Sequence, residues 1–172
     1  HHRQSHHSQR PNLVQSPPNR KHHLTMKTLV LAFMLIAATA QAEAPTAAED
    51  LAAINAVLDA STAAWNNGDI PGFMESYWQS ESLRFASGGD INFGWTPVLN
   101  RYLSRYPDDK AMGQLNFEDP DVRLLGPDHA MVFGTWRLIR EADEPHGLYT
   151  LILQRLPEGW RIVHDHTSSA SE

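Results

Sequence analysis

The chain has 172 residues, with 14 Lys and Arg against 20 Asp and Glu, a net charge of −6, and no cysteine. The lack of thiols excludes disulfides, a thiol nucleophile and a thiolate metal site. The acidic balance argues against nucleic acid and anionic membranes as partners.

Residues 1–25 are rich in His, Pro, Gln, Ser and Asn and contain almost no apolar residues. Such a composition cannot bury enough surface to offset the entropy of ordering the chain. We interpret this segment as a disordered leader that follows from a mis-assigned start. Six of the ten histidines lie here, so the alternative is a His-rich metal-binding tail.

Residues 26–42 have the features of a secretory signal peptide. Met26-Lys27 supplies the charged start, residues 29–40 the short apolar core, and Ala40-Gln41-Ala42 the cleavage sequence. The apolar run is too short to span a bilayer, so we expect a secreted or periplasmic protein with no membrane attachment after cleavage. The remaining chain, with nine Lys and Arg against 20 Asp and Glu, carries −11.

After a short linker at 43–48, one domain is expected over 49–169, with a tail at 170–172. Apolar residues at helical spacing predict a first helix from Ala48 to Asn67. Asp69 is expected to cap a second, short helix with Pro71 in its first turn. The next elements are a strand over 83–86 and a turn at 87–90.

A third helix is predicted from Thr96 to Tyr106, where Pro107 ends it. Everything after Met112 is typical of strands separated by turns at 126–128, 141–147 and 157–159. Helices followed by an antiparallel meander indicate an α+β fold with the helices on one face of the sheet.

The last segment, residues 159–167, carries the strongest functional signal. Strict alternation along a strand places four residues on one face: Trp160, Ile162, His164 and His166. Imidazoles that continue an apolar stripe indicate a pocket, although each histidine alone is also compatible with a structural role. The same alternation places Asp165 on the opposite face, away from that pocket.

Five segments in this order resemble the nuclear transport factor 2-like superfamily, in its SnoaL-like and calcium–calmodulin-dependent kinase II association-domain-like branch. These segments are residues 65–69, 94–95, 112–117, 134–138 and 159–168. The resemblance covers nearly all of 49–169. It implies a cone-shaped, cystatin-like fold, in which a curved antiparallel sheet wraps around the N-terminal helices and encloses a cavity, and it implies a homodimer formed through the sheet.

The implied cavity would be mostly apolar with a few polar groups, which is the usual form of a small-molecule site. Its expected lining residues are Trp65, Tyr77, Phe85, Trp95, Trp136, Tyr149, His164 and His166. Each aromatic residue alone is equally explained by core packing.

Our preferred interpretation is a small-molecule-binding protein without a cofactor, whose ligand is a small carboxylate or an apolar ring compound. Arg101, Arg137 and the two histidines are the groups expected to hold a carboxylate. An oligomerisation scaffold without chemistry is the related alternative.

A second interpretation is a proton-transfer enzyme, namely an isomerase, cyclase or dehydratase. His164 or His166 would be the base, Tyr77 or Tyr149 the hydroxyl donor, and Asp90 an additional carboxylate. The Tyr and Asp set of the ketosteroid isomerases cannot be matched residue by residue, so their activity is not carried over. A metal site is a third interpretation, but His164 and His166 lack an obvious third ligand.

Overall fold

The computed structural model describes residues 44–170, so the predicted leader and signal peptide lie outside the described residues. Four helices are present in this part: α1 (Ala47–Asn66), α2 (Ile70–Met74), α3 (Trp95–Arg105) and α4 (Asp109–Met112). Six strands accompany them: β1 (Arg84–Ser87), β2 (Asp90–Phe93), β3 (Gln114–Leu124), β4 (His129–Ile139), β5 (His146–Leu156) and β6 (Gly159–Thr167). The predicted helices and strands are confirmed, and the structure adds two short elements that were not predicted, β2 and α4.

The first two helices begin at side-chain caps. Thr46 and Glu49 form a reciprocal capping box at the start of α1, which satisfies backbone N–H groups that the helix itself leaves free. Asp69 caps α2 by accepting a hydrogen bond of 2.8 Å from the backbone N–H of Gly72. These caps fix where the helices enter the domain.

The strands form one curved, unclosed sheet in the order β2-β1-β6-β5-β4-β3. Neighbouring strands are antiparallel except β1 and β6, which run parallel. The α+β cone with helices against one sheet face is confirmed, with this parallel pair as a refinement. None of the helices within 44–170 has the length and apolar character that crossing a membrane requires.

The core fills the space between the helices and the inner face of the sheet. Helix α1 contributes Ile54, Leu58 and Trp65, all at most 4% exposed. The middle strands contribute alternate residues such as Val132 and Leu151, as expected for a sheet with one buried face.

Strand β6 changes its edge neighbour partway along its length. Its Ile162 pairs first with Tyr77, in the segment after α2, through backbone hydrogen bonds that involve Ser76 and Trp78. From His164 onward the neighbour is β1. On the opposite edge, Leu153 of β5 pairs with Ile162 and Ile152 pairs with His164, so Val163 is an extra, unpaired residue. This β-bulge reverses the alternation of the strand beyond it.

A buried ion pair joins α1 to the sheet. Asp50 on α1 is 6% exposed and pairs with Arg155 on β5. The guanidinium also stacks over Trp160, 4.7 Å from the ring centroid. Removing one partner of a buried pair leaves the other charge without compensation, which costs far more than the pair itself contributes.

We therefore predict that Arg155→Ala lowers the free energy of unfolding by about 2–4 kcal/mol, because it leaves the buried Asp50 carboxylate without its cation. Arg123→Ala is the matched control. It removes an arginine from a pair with Asp121 whose side chains are 65% and 47% exposed, and we expect it to cost less than about 1 kcal/mol. Urea unfolding of the three proteins measures both values, and equal losses would contradict the assigned role of Arg155.

Candidate functional site

A cavity of about 610 Å³ lies between the helices and the inner face of the sheet. This volume is within the range of small-molecule sites. Aromatic residues are the largest group in its wall, namely Trp65, Phe73, Tyr77, Phe85, Tyr102, Tyr106, Phe117, Trp136 and Tyr149. The lining residues that are exposed, including Gly88, Arg105 and Ser169, mark its opening.

Asp165 is the one acidic residue among the residues that line the cavity. Its side chain is on the inner face of β6, and the residue is 5% exposed. The Tyr77 hydroxyl donates a hydrogen bond of 2.7 Å to Oδ2, while the buried Oδ1 has no protein partner within the described chain. One carboxylate oxygen is therefore held in place and the other is available to a ligand.

The environment of Asp165 favours its neutral form. Burial raises the pKa of this carboxyl from an ordinary 3.8 to about 7, and the Tyr77 hydrogen bond opposes the rise only in part. Desolvation penalises a charged carboxylate in this way when no cation neutralises it. Near neutral pH the carboxyl therefore exchanges readily between its acid and base forms.

Two tyrosines adjoin this carboxyl on the helical side. Burial raises the pKa of the Tyr77 and Tyr102 hydroxyls well above their usual range, and the charge of Asp165 adds to the rise for both. The Tyr102 ring packs edge-on against Phe73 and Phe85, with centroid distances of 5.2 and 5.6 Å. Both hydroxyls therefore stay protonated and can only donate to a neighbouring anion.

Tyr149 presents a free hydroxyl to the same cavity from β5. The hydroxyl is buried without a hydrogen-bond partner among the described residues, and burial, with a smaller effect of Asp165, raises its pKa to about 12. It lies directly over Gly134 on β4, where an added Cβ would approach the Tyr149 oxygen to 2.7 Å. A buried, unpaired donor costs free energy unless a ligand satisfies it.

Six of the residues predicted from the sequence line this cavity. They are Trp65, Tyr77, Phe85, Arg101, Trp136 and Tyr149. The tyrosines and the arginine have polar groups at the wall, whereas the Trp136 indole N–H is already used, since it donates to the Ser168 carbonyl at 2.9 Å.

The expectation that His164 and His166 face the cavity is wrong. Neither lines it, and both lie on the outer face of the sheet, because the bulge at Val163 reverses the alternation that Trp160 and Ile162 begin. Burial, aided by Arg84 and His166, lowers the pKa of His164. For the same reason the prediction that Asp165 points away from the pocket is wrong.

Three further predicted residues do not line the cavity. Asp90 is exposed at the β1–β2 turn and does not line the cavity. Trp95 begins α3, and its indole N–H donates to the Met74 carbonyl at 2.9 Å, so it links α3 to α2. Arg137, which was expected to hold a ligand carboxylate, pairs instead with Glu118 at 2.8 Å.

Asp165, Tyr102 and Arg105 also line the cavity, although they were not among the residues predicted to do so. The adjacent apolar residues Ile162 and Val163 were the available signal for the bulge, since two such neighbours leave the phase of the alternation undefined. The two residues on α3 follow from helical spacing, because position 105 lies one turn beyond Arg101.

A metal site receives no support within residues 44–170, where no group of three or more His, Asp or Glu side chains is placed to hold an ion. His164 and His166 in particular have no third ligand nearby. The polar groups that line the cavity are carboxyl, hydroxyl and guanidinium groups.

The family model of the SnoaL-like domain matches residues 54–172. An NTF2-like protein of unknown function from Shewanella oneidensis is 36% identical, with 69% of this chain and 98% of that chain covered and a TM-score of 0.66. No curated protein matches the chain significantly.

Two more distant structures share the fold. A ketosteroid isomerase-like protein from Erwinia carotovora is 22% identical, with 72% and 98% of the two chains covered and a TM-score of 0.59. A suggested dehydratase of the NTF2-like family from Streptomyces avermitilis is 18% identical, with 74% and 100% covered and a TM-score of 0.60. At these identities the similarity shows the fold alone.

The raised pKa of Asp165 predicts how stability depends on pH. Well below the ordinary pKa of 3.8, the carboxyl is protonated in both states. As the pH rises to 7 the unfolded chain loses this proton while the folded chain keeps it, so the free energy of unfolding falls, by up to about 4 kcal/mol. Asp165→Asn should remove this decline.

Denaturant unfolding at intervals from pH 4 to pH 8 tests this expectation. The exposed Asp90→Asn is the control and should follow the wild-type curve. Parallel curves for wild type and Asp165→Asn would show that the carboxyl titrates normally.

Proposed function

The chain belongs to the SnoaL-like family, a branch of the nuclear transport factor 2-like superfamily, and we propose that it binds a small cyclic molecule and transfers a proton on it through Asp165. One observation carries the proposal: a buried carboxyl with one free oxygen faces an aromatic cavity of about 610 Å³. The pKa of this carboxyl, about 7, is close to the value that general acid–base catalysis requires near neutral pH.

The reaction needs no co-reactant. The ionised Asp165 takes a proton from a carbon next to a carbonyl group of the ligand, so that a C–H bond breaks and an O–H bond forms on the carboxyl. The electron pair of the C–H bond moves onto the carbonyl oxygen as an enolate. If the ligand has an adjacent C=C bond, return of the proton to the far end of the resulting dienolate completes an isomerisation. If the carboxyl first exchanges its proton with solvent, return of the solvent-derived proton to the same carbon gives hydrogen exchange.

Two tyrosines have distinct roles in this mechanism. Tyr149 donates its unused hydroxyl hydrogen to the developing enolate oxygen, as an oxyanion donor does. It is on the strand next to Asp165, and the two side chains share the inner face. Tyr77 is a positioning residue, since its hydrogen bond fixes Oδ2 of Asp165 and leaves Oδ1 for the ligand.

The reaction class agrees with the descriptions of two fold relatives, a ketosteroid isomerase-like protein and a suggested dehydratase. Those descriptions apply to the two relatives. For this chain the support is the carboxyl, the hydroxyl and the cavity. The catalytic base in this proposal is Asp165, in place of the histidines that the sequence indicated.

Binding without chemistry is the second candidate function, and the aromatic wall of the cavity favours it. Aromatic side chains stack on flat rings without a charged partner. Under this interpretation Asp165 only accepts a hydrogen bond from the ligand, and the ligand leaves unchanged.

The outer face of the sheet supports a homodimer as the functional assembly. This face presents apolar side chains on adjacent strands, with Phe133 42% and Leu148 50% exposed. On the same face, Met131 of β4 pairs with Ile152 of β5, and Ile152 pairs with His164 of β6. Contiguous apolar surface of this kind is typical of an interface, and in this proposal the two histidines belong to that interface.

Export to the periplasm or the medium is also part of the proposal. It depends on the charged, apolar and small-residue pattern of residues 26–42.

Proton transfer can be tested with 2-tetralone in D₂O, whose exchangeable C–H groups are followed by proton NMR. We expect the protein to accelerate exchange, with a rate that rises with pH through about 7 as Asp165 ionises. Asp165→Asn should lower the catalysed rate about 10²- to 10⁴-fold, and Tyr149→Phe about 10²-fold. Asp90→Asn should leave the rate unchanged.

Binding of 2-tetralone without exchange above the buffer rate would favour the second candidate function. Exchange that persists in Asp165→Asn would exclude Asp165 as the base.

The dimer is tested by mass photometry and by sedimentation of the chain from residue 43 onward. We expect a wild-type dimer and a monomeric Phe133→Glu variant, because a carboxylate at the centre of the outer face would be desolvated without a partner. Leu103→Glu is the control, since Leu103 is exposed on α3, outside the sheet. A monomeric wild type would refute the assembly and leave the cavity proposal intact.

A further inference from the structure

Two arginines on one face of α3 line the cavity, and none of the acidic residues within 44–170 serves as their counter-ion. Arg101 and Arg105 are one helical turn apart, so their side chains project in the same direction. Neither makes an ion pair with a described residue. Arg140, the third arginine of the wall, is held by Asp143 at 2.6 and 2.7 Å and is not available in the same way.

The two guanidinium groups lie at different depths. Arg105 is exposed at the opening of the cavity. Arg101 is half-buried, and its guanidinium carbon is 5.4 Å from the centroid of the Phe85 ring, within the range of a cation–π contact. Together they form a cationic side of an otherwise aromatic pocket.

The Asp165 carboxyl is not the counter-ion of these arginines. Its pKa is governed by burial and by the Tyr77 hydroxyl, whereas a guanidinium in contact would lower it strongly. The cavity therefore contains two separate polar regions, a neutralisable acid on the sheet and two unpaired cations on the helix.

The rest of the protein has the opposite charge. Residues 43–172 contain nine Lys and Arg against 20 Asp and Glu, so the surface as a whole repels anions. Two adjacent unpaired cations repel each other, and an anion between them would relieve that repulsion. Arginine also suits carboxylate recognition, because its planar fork can donate two hydrogen bonds to the two oxygens.

We propose that the ligand is a cyclic carboxylate, whose carboxylate group binds Arg101 and Arg105 while its ring lies against the aromatic wall and its reacting carbon faces Asp165. This inference deepens the proposed function and depends on it for the role of Asp165. The orientation keeps the ligand's charge away from the Asp165 carboxylate, and it selects among ring compounds by charge as well as by shape.

Pairs of ligands with the same ring test the effect of ligand charge on affinity separately from the effect of ring shape. Benzoate, 2-naphthoate and 9-anthroate are each compared with the neutral carboxamide of the same ring, by isothermal titration calorimetry at pH 7.5. These probes carry no C–H group that Asp165 could remove, so their binding is independent of proton transfer. For the best-fitting ring we expect the carboxylate to bind at least about tenfold more tightly than its amide, as charge-assisted hydrogen bonds imply.

The variant Arg101→Gln/Arg105→Gln should reduce this preference to less than about threefold while leaving amide affinity nearly unchanged. The control is Lys110→Gln/Arg123→Gln, which removes the same net charge at exposed sites outside the cavity wall and should retain the preference. Circular dichroism and thermal melting establish that all three proteins are folded.

Equal affinity of acid and amide in the wild type, or a preference that survives the loss of both arginines, would overturn this inference. Either result leaves the exchange activity of Asp165 to be judged by its own experiment. Absence of binding by every probe would count against both the cyclic carboxylate and the ring-binding cavity. Carboxylate selectivity without any proton exchange would support this inference and refute the catalytic part of the proposed function.

Discussion

The site depends on the way strand β6 is shared between two neighbours. Its first half pairs with the segment that follows α2, through Tyr77, and its second half pairs with β1. The strand accommodates the change with one extra residue, Val163. The position of the acidic group follows from this residue, because it turns Asp165 inward. There the same Tyr77 that pairs with Ile162 through its backbone also donates its hydroxyl hydrogen to the carboxyl. A single local irregularity thus decides which titratable side chain of β6 faces the cavity.

Helix and strand positions were predictable from the sequence, because they depend on local signals such as the Asp69 cap and the apolar spacing along α1. Most of the aromatic wall was predictable for a related reason, since large aromatic residues on the inward faces of helices and strands are usually buried. Which residues of β6 face inward was not predictable, since a bulge depends on the segments that lie at the strand's edges. Those neighbours are set by the tertiary fold and not by the local sequence. The predicted alternation along β6 failed at Val163. As a result, two histidines were expected in the cavity where the structure has Asp165.

Two buried carboxylates in this fold differ in their partners and in their pKa values. Asp50 has Arg155 as a partner, so its charge is compensated and the pair links α1 to the sheet. Asp165 has only a tyrosine, and burial holds its pKa near 7. Arginines also line this cavity, but among the described residues none forms an ion pair with Asp165. The structural acid therefore has a cation as its partner and the acid that lines the cavity does not, a difference typical of functional groups whose pKa values are tuned by their environment.

Gly134 controls the position of the Tyr149 hydroxyl. The Tyr149 oxygen occupies the space where a Cβ of residue 134 would be, so the hydroxyl reaches the cavity only because its neighbour on β4 has no side chain. A side chain at residue 134 would therefore displace the tyrosine by direct contact, and even alanine would force the phenol ring to move. For protein engineering, residue 134 is a position from which the depth and polarity of the pocket can be altered together without replacing any group that contacts a ligand.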